Sequence, residues 1–184
     1  MPIKKIVGLI YILFLPTWLH AQVENQVRSI NDFYFYVNDQ ITAEKYLLLE
    51  AKFNAFQRKN IQEDLPQQYQ LRIFFTKSDE EHYFLRAIKI NEQYTNIHYN
   101  TEFVFNEATE LILFTEEQND TEKYPYRQLK VYFENQKPIY FDTKPTIETD
   151  LARKRVQEIM EMEEELKNYF LVLLEMFKKV ATHK

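Results

Sequence analysis

Between residues 69 and 142, short apolar and aromatic segments alternate with polar breaks, a pattern that predicts an antiparallel β-meander. Six strands are expected, at 69–77, 82–90, 95–105, 110–116, 126–134 and 137–141, each rich in Tyr, Phe, Ile, Leu or Val. In the fifth, Arg127, Leu129, Val131 and Phe133 share one face while Tyr126, Gln128, Lys130, Tyr132 and Glu134 share the other. A period of two marks a sheet with one face covered, and it constrains register, because a one-residue slip turns every core side chain outward. A turn around Asn91, Glu92 and Gln93 sets Ala87 opposite Ile97, Leu85 opposite Tyr99, Arg86 opposite His98 and His82 opposite Glu102. In the last hairpin, pairing Phe133 with Ile139 and Val131 with Phe141 calls for an odd-numbered loop centred on Gln136 rather than a two-residue Asn135–Gln136 turn.

Helical patterns flank the meander. Val23, Val27, Ile30, Tyr34, Val37 and Ile41 recur at steps of four and three, which favours a helix over the competing strand at 33–37. Thr42 is placed to cap a second helix with Tyr46, Leu49, Phe53 and Phe56 on its apolar face, and residues 60–68 serve as the linker into the sheet. After Pro145, Thr146 is expected to cap one long helix over 147–181. Its seam is Ile159, Met162, Leu166, Tyr169, Leu173, Met176 and Val180, widened by Phe170, Leu174 and Phe177. At about 1.5 Å per residue this helix reaches about 50 Å, more than the sheet is wide, so part of it overhangs, bends or finds a partner. The expected fold class is therefore α+β: N-terminal helices over 23–58, a meander over 69–142, and a long C-terminal helix packed on the sheet.

Composition adds a compartment. Lys4 and Lys5, the apolar run 6–15, Pro16 and Leu19-His20-Ala21 have the order of a secretory signal peptide, so export to the periplasm or the medium is expected, with residues 22–184 as one mature domain. The apolar run is short for a membrane span, and an uncleaved anchor is the competing reading. The chain has no cysteine, so it carries neither disulfides nor a lipidated cysteine. Its formal charge of -5 becomes -7 when Lys4 and Lys5 leave with the signal, which argues against nucleic acid as a partner.

The single glycine, Gly8, lies in the signal, so the turns must be made by other residues; Asn91, Asn106 and Asn135 are the expected sites of positive φ. A mature domain without glycine holds no phosphate loop, dinucleotide fingerprint or nucleophile elbow. Ser29 and Ser78 are the only serines. Ser78, Asp79 and His82 share one turn, a proximity that is not triad geometry. His82, His98 and His183 have no ligand spacing for zinc, and the acidic runs lack the glycine and spacing of a calcium loop, so no metal or other cofactor is expected. Asn119-Asp120-Thr121 matches a glycosylation sequon in a polar loop.

What remains is a surface. Arg72, Phe74, Arg86, His98, Tyr126, Lys130, Tyr132 and Tyr140, with Glu102, are assigned to the second sheet face, where tyrosine and arginine offer broad contact with polar tips. If helices cover only the Leu71, Ile73, Leu85, Ile97, Leu129 and Val131 face, this one is free for a protein, glycan or small molecule. The leading expectation is a non-enzymatic binding module. The alternatives are a structural or chaperone-like protein that self-associates or holds clients through the seam 159–180, and a carboxylate-based hydrolase.

Overall fold

The computed structural model describes residues 4–54, 66–78, 82–120 and 122–182. Most of the linker 60–68, the centre of the Ser78–His82 turn, Thr121 of the sequon and His183 lie outside these residues.

Helix α1 spans Lys4–Thr42 and carries the predicted stripe: Val27, Ile30, Tyr34, Val37 and Ile41 all pack on the sheet, so the strand reading of 33–37 falls away. The helix ends in a Schellman motif. The Glu44 amide donates to the Ile41 carbonyl and the Lys45 amide to the Gln40 carbonyl, with Glu44 at φ 55°. That position is ordinarily glycine, and this chain uses glutamate. Thr42 therefore closes the first helix instead of capping a second, and its hydroxyl donates back to the Asn38 carbonyl.

The expected second helix is a strand, β1, Leu47–Asn54. Leu49, Ala51 and Phe53 fit a period of two as well as the first residues fit a helix, and β1 pairs along its whole length with β2. The sheet thus has seven strands, not six: β2 Gln68–Lys77, β3 Tyr83–Gln93, β4 His98–Phe105, β5 Leu111–Gln118, β6 Gln128–Glu134 and β7 Lys137–Lys144, all antiparallel and neighbours in chain order. Helix α2, Thr149–Thr182, follows. It starts three residues beyond the expected Thr146 cap, where the Ala152 amide bonds the Glu148 carbonyl.

Two hairpins correct the expected registers. The β3–β4 turn is formed by residues 94–97, closed by Tyr94 N–H to the Ile97 carbonyl, so Asn91, Glu92 and Gln93 belong to β3. Ala87 consequently faces Val104 and Glu92 faces Tyr99, a shift of seven residues from the expected pairing. Glu102 stands opposite Lys89, not His82. The β6–β7 turn is the two-residue Asn135–Gln136 turn rather than the expected odd-numbered loop, with φ of 50° and 61°. Val131 nevertheless meets Phe141 as expected, because Ile139 is an extra residue between the Tyr132–Tyr140 and Phe133–Pro138 pairs.

That bulge has two counterparts, Arg86 in β3 and Ile112 in β5. All three sit just past the β2–β3, β4–β5 and β6–β7 turns, at one end of the sheet. Bulges bend and twist a strand, and three in alternate strands curl this end while leaving the other regular. At the β4–β5 turn, Asn106 accepts the Ala108 and Glu110 amides through Oδ1, and Thr109 takes the positive φ of 63°. Asn135 is thus the one predicted asparagine found there.

Both faces are covered. Beneath α2, the cross-strand row Leu49–Ile73–Ile88–Phe103–Phe114–Val131–Phe141 forms the main core, packed with Ile159, Phe170 and Leu174. Helix α2 crosses it obliquely. Arg155 meets Glu116 of β5 near one end of the helix, while Phe170 packs on Phe75 of β2 (centroids 5.3 Å apart) and Lys178 Nζ lies 5.4 Å from the Tyr83 ring near the other. Beneath α1, a smaller cluster joins Val37 to Phe74, Ala87, Val104, Leu113 and Tyr132. Among the described residues no helix is long and apolar enough to cross a membrane.

Candidate functional site

The residues assigned to one exposed face do not form one. Phe74 and Tyr132 are buried beneath α1, with the Tyr132 hydroxyl 3.1 Å from Asn31 Oδ1. Tyr126, just before β6, falls on the opposite side and is fully buried, donating to Glu116 at 2.9 Å. Arg86 is the bulge residue and donates to the Asn106 carbonyl at 3.0 Å; His98 opens β4, its amide donating to Asn119. Tyr140 is the one large aromatic of the set that stays exposed, packed 5.8 Å from the Tyr132 ring. Arg72 and Lys130 belong to a polar row that crosses all seven strands, Glu50–Arg72–Lys89–Glu102–Thr115–Lys130–Asp142. Helix α1 caps its middle. Lys89 bonds Asn38 at 2.7 Å and Glu102 at 3.1 Å, and Tyr34 donates to Glu102; burial, together with the charge of Glu102, pushes the phenol up to about 12. A cavity of about 270 Å³ beside this row holds the Glu102 and Asp142 carboxylates.

The larger cavity, about 600 Å³, lies on the other face, between the sheet and α2 at the end without bulges. Its floor is built from two adjacent cross-strand rows. The outer one is Phe53–Tyr69–Glu92–Tyr99, and the inner one runs Leu71–Ile90–Thr101–Glu116. The roof is Met162, Glu165, Leu166 and Tyr169 of α2. Lys123 and Tyr124, from the β5–β6 loop, form the rim. Arg155 makes the α2 contact with β5 at this end, pairing with Glu116 and lying over the Phe114 ring.

Arg155 anchors a buried polar network. Its guanidinium pairs with Glu116, bonds Glu158 at 2.8 Å and the Tyr124 hydroxyl at 3.3 Å, and stacks over the Tyr124 ring at 4.7 Å. Glu116 also accepts the Tyr126 hydroxyl, so its charge is met from two sides. Gln118 ties the β5–β6 loop down by donating to the Tyr126 carbonyl. In the same loop, the Asp120 carboxylate accepts the Tyr99 hydroxyl at 2.5 Å and the Glu122 and Lys123 amides. The tyrosine and these amides hold Asp120 below the usual carboxylate range, while burial and Asp120 push the Tyr99 phenol up. Glu92 differs from these. It is half-buried between Tyr69 and Tyr99, has no hydrogen-bond donor among the described residues, and burial pushes its carboxyl up.

No group of three or more His, Asp or Glu among the described residues is placed to hold a metal ion. The seam expected to drive self-association is largely spent inside the molecule, since Ile159, Met162, Leu166, Leu173 and Leu174 pack against the core; Tyr169 and Met176 of that seam are exposed, beside Leu171 and Val172.

Glu92 is hidden in the sequence because Asn91, Glu92 and Gln93 read as a turn, whereas they belong to β3. The usable signal was its frame: Ile88, Ile90 and Glu92 continue one face of β3, and the polar pair Thr95–Asn96 offers a turn further along. Neither known protein families, nor curated proteins, nor solved structures contain a match to this chain.

Proposed function

We propose that the protein is an exported binding module that holds a small amphipathic organic molecule between the sheet and α2. The observation that supports this reading is the cavity itself. At about 600 Å³ it falls in the size range of ligand sites, about 300–1,000 Å³. Its lining divides as such sites do, with apolar contact from Phe53, Leu71, Ile90, Met162 and Leu166 and a few polar groups fixed by the Arg155 network.

Leu166→Trp tests it by filling the space from the roof. The variant is expected to keep the far-UV and thermal signature of the fold and to lose at least about ten-fold in affinity for a hydrophobic fluorescent probe, the effect of excluding a ligand from a preformed pocket. Unchanged probe affinity in a folded Leu166→Trp overturns the reading.

Export has its own check. Among the described residues, α1 reaches the sheet through Gln26, which donates to Glu134, and through Val27. Processing after Ala21 therefore leaves the covering helix with all of these contacts. Intact mass of protein recovered from its host is expected to correspond to a chain starting at Gln22; retention of Met1 rejects processing.

A further inference from the structure

We infer that the cavity selects an organic cation, an amine or quaternary ammonium on an aromatic or branched aliphatic body, with Glu92 as its counter-charge and Tyr99 and Tyr124 as its aromatic walls; this rests on the binding reading above.

The charges of the lining do not cancel. Arg155 is consumed by Glu116 and Glu158, which leaves Glu92 and Glu165 against the single ammonium of Lys123. Asp120, just outside, adds another carboxylate behind Tyr99. An anionic guest would meet this excess of negative charge and be repelled by it. A neutral guest would leave Glu92 without a partner, at the cost of a half-buried carboxylate with no donor.

The aromatic groups point to the same class. Lys123 Nζ stands 5.5 Å from the Tyr99 ring centroid and 5.1 Å from that of Tyr124, both inside the distance at which a cation is held by a ring face. Two tyrosines of the cavity thus already hold an ammonium, supplied by an exposed side chain on the rim. A ligand cation entering between them takes over a contact the protein itself demonstrates, while Lys123 swings into water. Tyr69 beside Glu92, and Phe53 beyond it, supply apolar contact for the body of the ligand.

The test uses the full chain and three compounds of similar shape: benzyltrimethylammonium, its neutral isostere neopentylbenzene, and phenylacetate, titrated by calorimetry or probe displacement. The cation is expected to bind about ten-fold tighter than the neutral isostere, the factor a desolvated cation–π contact supports, with phenylacetate weakest. Glu92→Gln removes that preference and leaves the neutral isostere within about two-fold, since the amide keeps the shape and loses the charge. Cation affinity in the unsubstituted protein is expected to rise with pH as Glu92 ionises. The groups facing Glu92 are Tyr69 and Tyr99 on the neighbouring strands, Glu116 on β5, Lys123 on the loop, and Arg155 and Glu165 on α2; among these Lys123 opposes the rise in its carboxyl and Glu116 adds to it. Equal affinity for cation and isostere, tighter phenylacetate, or a preference that survives Glu92→Gln overturns the cation assignment while the cavity reading stands. Failure of all three compounds, with Leu166→Trp leaving probe binding unchanged, overturns both.

Discussion

Arg155→Ala is expected to lower the free energy of unfolding by about 3–5 kcal/mol, the cost of stranding a buried charge. Arg155 is 5% exposed and Glu116 is 4% exposed, so removing the guanidinium leaves the carboxylate with only the Tyr126 hydroxyl. The rings of Phe114 and Tyr124 lose a packed cation as well. Urea titration with an unchanged m-value reads the loss as a lower midpoint. Arg155→Met combined with Glu116→Gln removes both charges, keeps an acceptor for Tyr126, and is expected to recover most of the stability, because the desolvation cost of the pair disappears with its attraction. A loss below about 1 kcal/mol for Arg155→Ala, the level of a surface pair, would show that water reaches Glu116 and that the wall of the cavity is not built as described.

Phe103→Ala is expected to cost a similar amount, about 3–5 kcal/mol, for a different reason. Phe103 is fully buried at the middle of the main core row, with Ile88 and Phe114 as cross-strand neighbours and the Phe114 ring 5.0 Å away. Strands on both sides hold the backbone, so the space left by the ring cannot collapse. Phe103→Leu, which keeps most of the volume, is expected to cost less than about 1.5 kcal/mol. Thermal or urea unfolding of the two variants checks the ordering, and equal losses would place the ring outside the core.

The parts of this fold that were legible before the structure are those where one period dominates. The strands β2 to β7 stand within a few residues of where alternation put them, and α1 follows its stripe of four and three. Three kinds of position were not legible. Leu47–Asn54 satisfies both periods, and pairing with β2 decides between them. The β3–β4 register depended on locating a turn without a glycine or proline to mark it, and misplacing that turn moved Tyr99 from Glu92 to Leu85. The bulges at Arg86, Ile112 and Ile139 interrupt alternation from within, so Phe75 and Phe133 keep to the α2 face while the frame of the partner strand changes. The candidate surface failed for a related reason. Sheet alternation shows that Phe74 and Tyr132 share a face, and says nothing of which helix lies over it.

Because the seven strands neighbour one another in the order in which they occur along the chain, the nascent polypeptide can add each strand to a finished edge without waiting for a distant segment, the circumstance in which chain topology slows folding least. The segment for which everything waits is α2. Until it arrives, Phe103, Phe114, Val131 and the rest of that face stand uncovered, and the same late arrival creates the cavity. A chain interrupted before Thr149 would carry a sheet with its aromatic interior turned to solvent, so the molecule is open to wrong association for as long as α2 is missing.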